Sequence, residues 1–244
     1  MQYLSRYIEN KILSHLVPGK VIVLLGARRV GKTVLLKRIM DQFNKEKIFL
    51  NADDYRTEAI LAHKSAEEYR SLIGNNDLLL IDEAQKIQDI GRILKIMVDE
   101  IPQLRIMVTG SSAFDLTNKL GEPLTGRKST FYLYPFAQCE LIQTENILNT
   151  RALFENRLIY GSYPELVFLK DNEEKVNYLN DLVSSYLLKD ILELDSIKSS
   201  SKTRNRSMKA GASSSKALNL PASIIRPGKN LKAQYIRLNS RSLT

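Results

Sequence analysis

Apolar residues change their spacing repeatedly along the first 135 positions of the chain. Short, mostly apolar runs predict strands over residues 21–25, 47–51, 78–81, 105–109 and 130–133. The runs at 21–25 and 78–81 are apolar at every position, which predicts strands that are buried on both faces. Apolar residues three or four positions apart predict helices over residues 3–16, 33–44, 59–73 and 87–101. The apolar side of the first of these includes Tyr7, and that of the second includes Val34. Strands that alternate with helices form a parallel sheet covered by helices on both faces. The pattern therefore predicts an α/β fold with a doubly wound, five-stranded parallel sheet whose ligands bind at the carboxyl ends of the strands.

The pattern changes after the fifth predicted strand. Residues 136–198 favour helices around a Gly/Pro turn at 160–166. From residue 199 the apolar period disappears into a Ser/Lys/Arg-rich stretch that fits neither a helix nor a strand. We therefore expect three regions: a sheet domain over 1–135, a partial helical domain over 136–198, and an irregular basic tail, disordered or non-native, over 199–244.

A glycine-rich loop follows the first predicted strand. Residues 26–33, GARRVGKT, match the P-loop or Walker A pattern G-x-x-x-x-G-K-[ST] without a mismatch, between an apolar strand and a helix. Backbone N–H groups of such a loop, together with the following helix N-terminus, surround nucleotide phosphates. Lys32 is expected to reach the β- and γ-oxygens, and the Thr33 hydroxyl to bind Mg²⁺. The predicted nucleotide-binding residues here are Gly26, Ala27, Arg28, Arg29, Val30, Gly31, Lys32 and Thr33.

Two carboxylates, Asp82 and Glu83, follow the strand predicted over residues 78–81. In this Walker B position Asp82 would hold Mg²⁺ through a water coordinated to the ion, and Glu83 would orient and activate the attacking water. A purely structural alternative makes Asp82 a helix N-cap and Glu83 a surface charge. Because hydrolysis requires an acidic pair beside the phosphate loop, we predict that Glu83 and Lys32 are catalytic and that Thr33 and Asp82 bind the metal.

Further polar groups follow or precede the last two predicted strands. Thr109, Ser111 or Ser112 could contact the attacking water or the γ-phosphate, because their strand is expected between the two that carry the other motifs; a Ser/Thr-rich turn is otherwise only a turn. We include Ser111 among the predicted nucleotide-binding residues. Arg127 is predicted to offset transition-state charge at the nucleotide of its own or a neighbouring subunit, the latter implying a homo-oligomer. An arginine beside a strand is, however, usually solvated or salt-bridged.

The net charge of +9 is concentrated at one end of the chain. Residues 198–244 carry 11 of the 36 basic residues and none of the 27 acidic ones, so residues 1–197 hold 25 basic and 27 acidic residues. The folded part is therefore not predicted to bind nucleic acid, and any such binding would belong to the tail. No apolar run reaches the roughly 18 residues that span a bilayer, and the first residues do not resemble a signal peptide, so we expect no membrane partner and a cytoplasmic protein. Cys139, His15 and His63 lack metal-ligand spacing.

Taken in order, the motifs GARRVGKTVLLKRI, LLLIDEAQKI, VTGSSAFDL, LTGRKSTFYLYPF, YGSYPEL and YLLKDILEL resemble those of prokaryotic AAA-type P-loop ATPases with a C-terminal domain of unassigned function. The resemblance spans about residues 1–197. It implies an additional-strand P-loop fold, ATP as the ligand, and the roles given above for Lys32, Thr33, Asp82 and Glu83. Family members continue into further helices where this chain becomes acid-free. We hypothesise that residues from about 199 onward were read in a shifted frame, which would truncate the second unit.

The leading functional hypothesis is a Mg²⁺-dependent ATPase that couples hydrolysis to conformational change in an unidentified macromolecular partner. The alternative is a regulatory module that binds ATP without turning it over, for which Glu83 would be dispensable. A GTPase would require Asn-Lys-x-Asp, and the string at residues 118–121 has glycine in place of that aspartate. We therefore expect ATP and Mg²⁺ as the ligands.

Overall fold

The computed structural model describes residues 3–62, 64–110, 120 and 124–184, and the predicted tail lies outside them. In chain order the elements are α1 (Glu9–His15), β1 (Val21–Leu25), α2 (Lys32–Gln42), β2 (Lys47–Asn51), α3 (Tyr55–Leu61), α4 (Ala66–Ile73), β3 (Leu78–Asp82), a 3₁₀ turn (Ala84–Lys86), α5 (Ile90–Glu100), β4 (Arg105–Gly110), β5 (Lys128–Tyr132), α6 (Gln138–Leu141), α7 (Ile147–Tyr160), α8 (Pro164–Phe168) and α9 (Asn172–Leu182).

The five strands form one parallel sheet in the order β2-β3-β4-β1-β5. This confirms the predicted α/β fold with a doubly wound, five-stranded sheet. The strand that carries Thr109, β4, lies between β1 and β3, as predicted. Since all strands run in the same direction, the segments that follow β1, β3 and β4 emerge at the same edge of the sheet.

Alternate residues of the central strands enter two separate hydrophobic clusters. In β1, Val21, Val23 and Leu25 belong to one cluster, whereas Ile22 and Leu24 belong to the other. The first cluster contains the buried faces of α4 and α5, and the second those of α1 and α2. Both faces of β1 are therefore buried, which explains why its sequence is apolar at every position.

Three predicted helices differ from the observed ones. Residues 59–73 divide into the end of α3 and the whole of α4, because Ser65 begins α4 with a reciprocal capping box to Glu68. The helix predicted from residue 87 begins at Ile90, after a 3₁₀ turn. The helix predicted over residues 3–16 is confined to α1, and Tyr7, expected on its apolar side, is 81% exposed. In α2, Val34, which is also expected on the apolar side, is exposed, and Leu36 is buried in the core instead.

The chain forms two compact units. The first comprises Met1–Ile147 and Ser162–Lys170 and contains the sheet; the second comprises Leu148–Gly161 and Asp171–Thr244 and contains most of α7 and all of α9. Among the described residues, no helix combines the length and the apolar character that a membrane-spanning segment requires. The domain boundaries predicted at residues 135 and 198 stay predictions.

Candidate functional site

The glycine-rich loop begins at a point where the backbone has no room for a side chain. A Cβ on Gly26 would lie 2.4 Å from the carbonyl oxygen of Leu133, whose own N–H donates to Leu25 at 2.7 Å. The loop is anchored by Val30, which is fully buried in the core cluster beneath α2. Glycine at position 26 is therefore required by close packing against the chain that leaves β5.

Positive φ angles turn the loop back toward the start of α2. Arg29 has a φ of 60° and Gly31 a φ of 100°, and the helix begins at the next residue, Lys32. The Lys32 side chain is buried, and its Nζ donates to the carbonyl oxygens of Gly26 and Ala27, each at 3.0 Å. The ammonium group is thus held by backbone carbonyl groups of the loop itself. Arg29 is exposed and Arg28 is partly buried.

The first residues of α2 contact the end of β3. The Thr33 hydroxyl donates to Asp82 Oδ2 at 2.6 Å, across 49 positions of sequence. The other carboxylate oxygen, Asp82 Oδ1, accepts a hydrogen bond from the hydroxyl of Thr109 in β4. Asp82 is 3% exposed and Thr109 is fully buried. The structure therefore brings together Thr33 and Asp82, the two residues predicted to bind the metal.

Glu83 follows Asp82 in a strained backbone conformation. Its φ of 53° lies in the left-handed region, which non-glycine residues adopt rarely and which is concentrated at functional sites. The Glu83 N–H donates to Thr109 Oγ1 at 3.1 Å, and Glu83 Oε2 accepts from Gln85 Nε2 at 2.5 Å. The fold of this turn is thus fixed by one hydrogen bond from the Glu83 backbone and one to its carboxylate.

Arg127 lies at the opposite edge of the sheet from the phosphate loop. Its carbonyl oxygen accepts from the N–H of Val21, the first residue of β1, whereas the loop follows the last residue of that strand. The two ends of β1 are separated by about 13 Å at 3.3 Å per residue. The Arg127 guanidinium instead pairs with Asp99, near the end of α5. The structure therefore does not bring Arg127 to the nucleotide site of its own chain.

Of the three hydroxyl residues predicted near the γ-phosphate, only Thr109 lies within the described residues. Thr109 contacts both acidic residues, as given above. Ser111 and Ser112 lie outside the described residues, so the prediction for Ser111 stays a prediction.

Contacts that the sequence motifs did not indicate surround the loop. Arg6, 20 positions before Gly26, donates from Nη1 to the carbonyl oxygen of Val30 at 3.3 Å. Glu165, which lies within the predicted Gly/Pro turn and in the first turn of α8, pairs with Arg29 at 3.8 Å. Arg6 is one of three charged residues in residues 3–16, together with Glu9 and Lys11, and no sequence signal distinguished it, because its partners are distant in the chain.

Comparison with known proteins identifies two matching families. A family described as an AAA domain matches residues 18–142, and a domain of unknown function matches residues 151–222. The second match extends into the region predicted as a tail. Relatives include an uncharacterized protein of Methanocaldococcus jannaschii, 25% identical over 80% of this chain and 47% of its own length. Another is an uncharacterized protein of Haemophilus influenzae, 26% identical over 72% of this chain and 47% of its own length.

Solved structures similar to this chain include the Walker-type ATPase of Pyrococcus abyssi. It has a TM-score of 0.46 and 18% sequence identity, and the match covers 83% of this chain and 75% of that chain. This chain spans less than half the length of the two curated relatives described above.

Proposed function

Since the chain belongs to the AAA domain family, we propose that its first unit binds ATP together with Mg²⁺ and hydrolyses it. The observation that carries the proposal is the 2.6 Å contact between Thr33 Oγ1 and Asp82 Oδ2. It joins the helix after the phosphate loop to the end of β3, so the loop amides, Lys32 and both acidic residues share one edge of the sheet.

The residues fit a magnesium ion that is bound with its substrate. Mg²⁺ prefers oxygen ligands and usually takes one or two from carboxylates, with the remainder from water and substrate phosphates. Among the described residues, no group of three or more His, Cys, Asp or Glu side chains could hold a metal ion. Thr33 and Asp82 would supply the protein oxygens. When bound, the ion would neutralise charge that develops on the phosphates.

The other residues have separate roles in the proposed reaction. The loop amides and Lys32 would bind the phosphates. To do so, the Lys32 ammonium would replace its hydrogen bonds to the Gly26 and Ala27 carbonyl oxygens by contacts with phosphate oxygens. Glu83 would accept a proton from the attacking water as it approaches the γ-phosphorus. Thr109 would hold Asp82 and the Glu83 backbone in register through its buried hydroxyl.

Hydrolysis by the full chain is tested through two substitutions and one matched control. Lys32→Ala should abolish Mg²⁺-dependent phosphate release, whereas Lys37→Ala should retain it, because Lys37 is an exposed lysine of the same helix. Glu83→Gln should still bind ATP but release phosphate roughly 10²–10⁴-fold more slowly, as expected for loss of a general base. Phosphate release that is equal in the wild type and the Lys32 variant would contradict the proposal.

One contact favours a second candidate, a module that binds ATP without hydrolysing it. Glu83 Oε2 accepts a hydrogen bond from Gln85 at 2.5 Å, and this contact must be broken or shared before that oxygen can accept a proton from water. If this candidate is correct, the wild type and Glu83→Gln bind ATP with equal affinity and neither releases phosphate. Measurable turnover by the wild type excludes it.

We also propose that the nucleotide state is transmitted through residues 162–170. This segment belongs to the first unit, but the chain on both sides of it belongs to the second. Within the first unit, Glu165 pairs with Arg29 of the phosphate loop, and a Cβ on Gly31 would lie 3.9 Å from Pro164 Cγ. A conformational change in the loop would therefore move a segment that the chain joins to α7 on one side and to α9 on the other. The partner that responds is unidentified.

A further inference from the structure

Arg6 is the most deeply buried arginine of the described residues, and it contacts the phosphate loop. The Arg6 side chain is 5% exposed, and its planar guanidinium donates in three directions. Nη1 donates to the Val30 carbonyl oxygen at 3.3 Å, Nη2 to the Tyr134 carbonyl oxygen, and Nε to Glu140 Oε1 at 3.3 Å. One side chain thus joins the N-terminal segment, the loop and the chain that follows β5.

The carboxylate beside Arg6 belongs to Glu140, and it is likewise buried and hydrogen-bonded to several groups. Glu140 is 5% exposed, and besides Arg6 it accepts hydrogen bonds from the N–H groups of Tyr7 at 2.7 Å and Ala137 at 2.9 Å. The Arg6 guanidinium also lies 4.3 Å from the centroid of the Phe136 ring. A buried charge pair with its hydrogen bonds satisfied has one defined geometry, so this network is rigid. Burial lowers the pKa of Arg6, and Glu140 opposes that effect.

The contact with Val30 fixes the orientation of the loop backbone. Because the peptide bond between Val30 and Gly31 is trans, a Val30 carbonyl oxygen that faces Arg6 directs the Gly31 N–H away from Arg6. The position of Gly31 agrees with this, because a Cβ there would lie 3.9 Å from Arg6 Nη1. Oriented backbone N–H groups are what a phosphate requires of such a loop.

From these contacts we infer that Arg6 is a positioning residue of the phosphate loop, which orders the loop for phosphate binding by holding the Val30 carbonyl against the Glu140 network. In this role Arg6 acts through the backbone of residues 26–33 and not through a contact with the substrate. The ordering of the loop is a property of the nucleotide-free protein, whereas its effect on ATP affinity rests on the proposed function.

Arg6→Lys separates this role from charge balance. Lysine keeps a cation beside Glu140, but one ammonium group lacks the rigid fork that reaches three acceptors in different directions. Arg105→Lys is the matched control, because Arg105 also combines a carbonyl oxygen (Leu16, 3.2 Å), a carboxylate (Asp77, 3.8 Å) and a ring (Phe43, 5.7 Å). Arg105 begins β4 and so lies at the edge opposite the loop.

Two measurements on the full chain test the inference. In the nucleotide-free protein, amide hydrogen exchange over residues 26–33 should be several-fold faster in Arg6→Lys than in the wild type, and unchanged in Arg105→Lys. The dissociation constant for ATP with Mg²⁺ should rise about tenfold in Arg6→Lys only, which corresponds to about 1.4 kcal/mol.

The exchange measurement tests the positioning role of Arg6 even if the wild type binds no ATP. Absence of ATP binding would overturn only the proposed function. Exchange over residues 26–33 that is equal in Arg6→Lys and the wild type would overturn the inference. So would an equal acceleration in both lysine variants, since that indicates general destabilisation.

Discussion

Thr109 and Asp82 lie at the carboxyl ends of neighbouring parallel strands, and the fully buried hydroxyl of Thr109 donates to the Asp82 carboxylate. The same hydroxyl accepts from the N–H of Glu83 at 3.1 Å. Because Thr33 contacts the other oxygen of Asp82, the carboxylate is held between α2 and β4. Thr109 therefore orients two residues with different proposed roles, one toward the metal ion and one toward the attacking water.

Thr109→Val is expected to weaken both the fold and the proposed reaction. Valine keeps the shape but removes the hydroxyl, which leaves buried polar groups of Asp82 and Glu83 without this partner. We expect the free energy of unfolding to fall by about 1–3 kcal/mol and Mg²⁺-dependent phosphate release to fall about 10- to 100-fold, as for other groups that orient metal ligands. Urea unfolding and a phosphate-release assay measure the two effects.

Thr109→Ser is the control for this prediction, since it keeps the hydroxyl and loses only a methyl group. It should retain most of the activity. A valine variant as stable and as active as the wild type would show that the hydroxyl is not needed to orient the acidic pair.

The sequence predicted well those parts of the fold that are determined by the residues of a single short segment. The bounds of β1 and β2 agree with prediction to the residue, and the G-x-x-x-x-G-K-[ST] pattern located the loop between β1 and α2. β1 is buried at every position and is therefore apolar throughout, whereas β2 is only partly buried and its apolar run is bounded by Lys47 and Asn51. A phosphate loop needs glycine and lysine at fixed spacing. Neither requirement depends on distant residues.

The differences arise where contacts distant in sequence decide the outcome. Val34 fits the apolar side of a helix by spacing, but the position of α2 on the sheet buries Leu36 in its place. Arg6 depends on Glu140, 134 positions away. The location of Arg127 could have been predicted, because a residue that precedes a parallel strand must lie at the amino edge of the sheet, whereas the phosphate loop lies at the carboxyl edge.

Gly26→Ala is expected to abolish ATP binding. The added Cβ would lie 2.4 Å from the Leu133 carbonyl oxygen, a backbone atom, so the loop or the chain after β5 must move. Gly126→Ala provides a control: its φ of 75° makes a side chain unfavourable by roughly 1–2 kcal/mol, but among the described residues, apart from its chain neighbours, no atom lies within 4 Å of the added Cβ. ATP titration and thermal unfolding should show that both variants are destabilised and that only the first loses affinity. Wild-type affinity in Gly26→Ala would contradict the close packing.

Arg127→Ala should leave phosphate release by the isolated chain unchanged. The side chain pairs with Asp99 at the amino edge of the sheet, and both side chains are more than one-third exposed. Exposed ion pairs contribute about 0–1 kcal/mol, so stability should also change little. Turnover is measured at several protein concentrations, together with the molecular mass in solution. A fall in turnover at concentrations where the protein is monomeric would contradict the location of Arg127, whereas a fall confined to an oligomer would indicate action on a neighbouring subunit.

ATP binding is expected to slow amide hydrogen exchange over residues 162–170 as well as over the loop itself. Glu165 and Arg29 are about half exposed, so Glu165→Gln should change the free energy of unfolding by less than about 1 kcal/mol. It should nevertheless reduce the response of residues 162–170 to ATP, because it removes the ion pair with the loop. Glu173→Gln, an exposed residue of α9, should leave that response intact. Protection confined to residues 26–33 in the wild type would show that the segment does not respond to the nucleotide, and the proposed transmission toward the second unit would then be wrong while ATP binding itself stood.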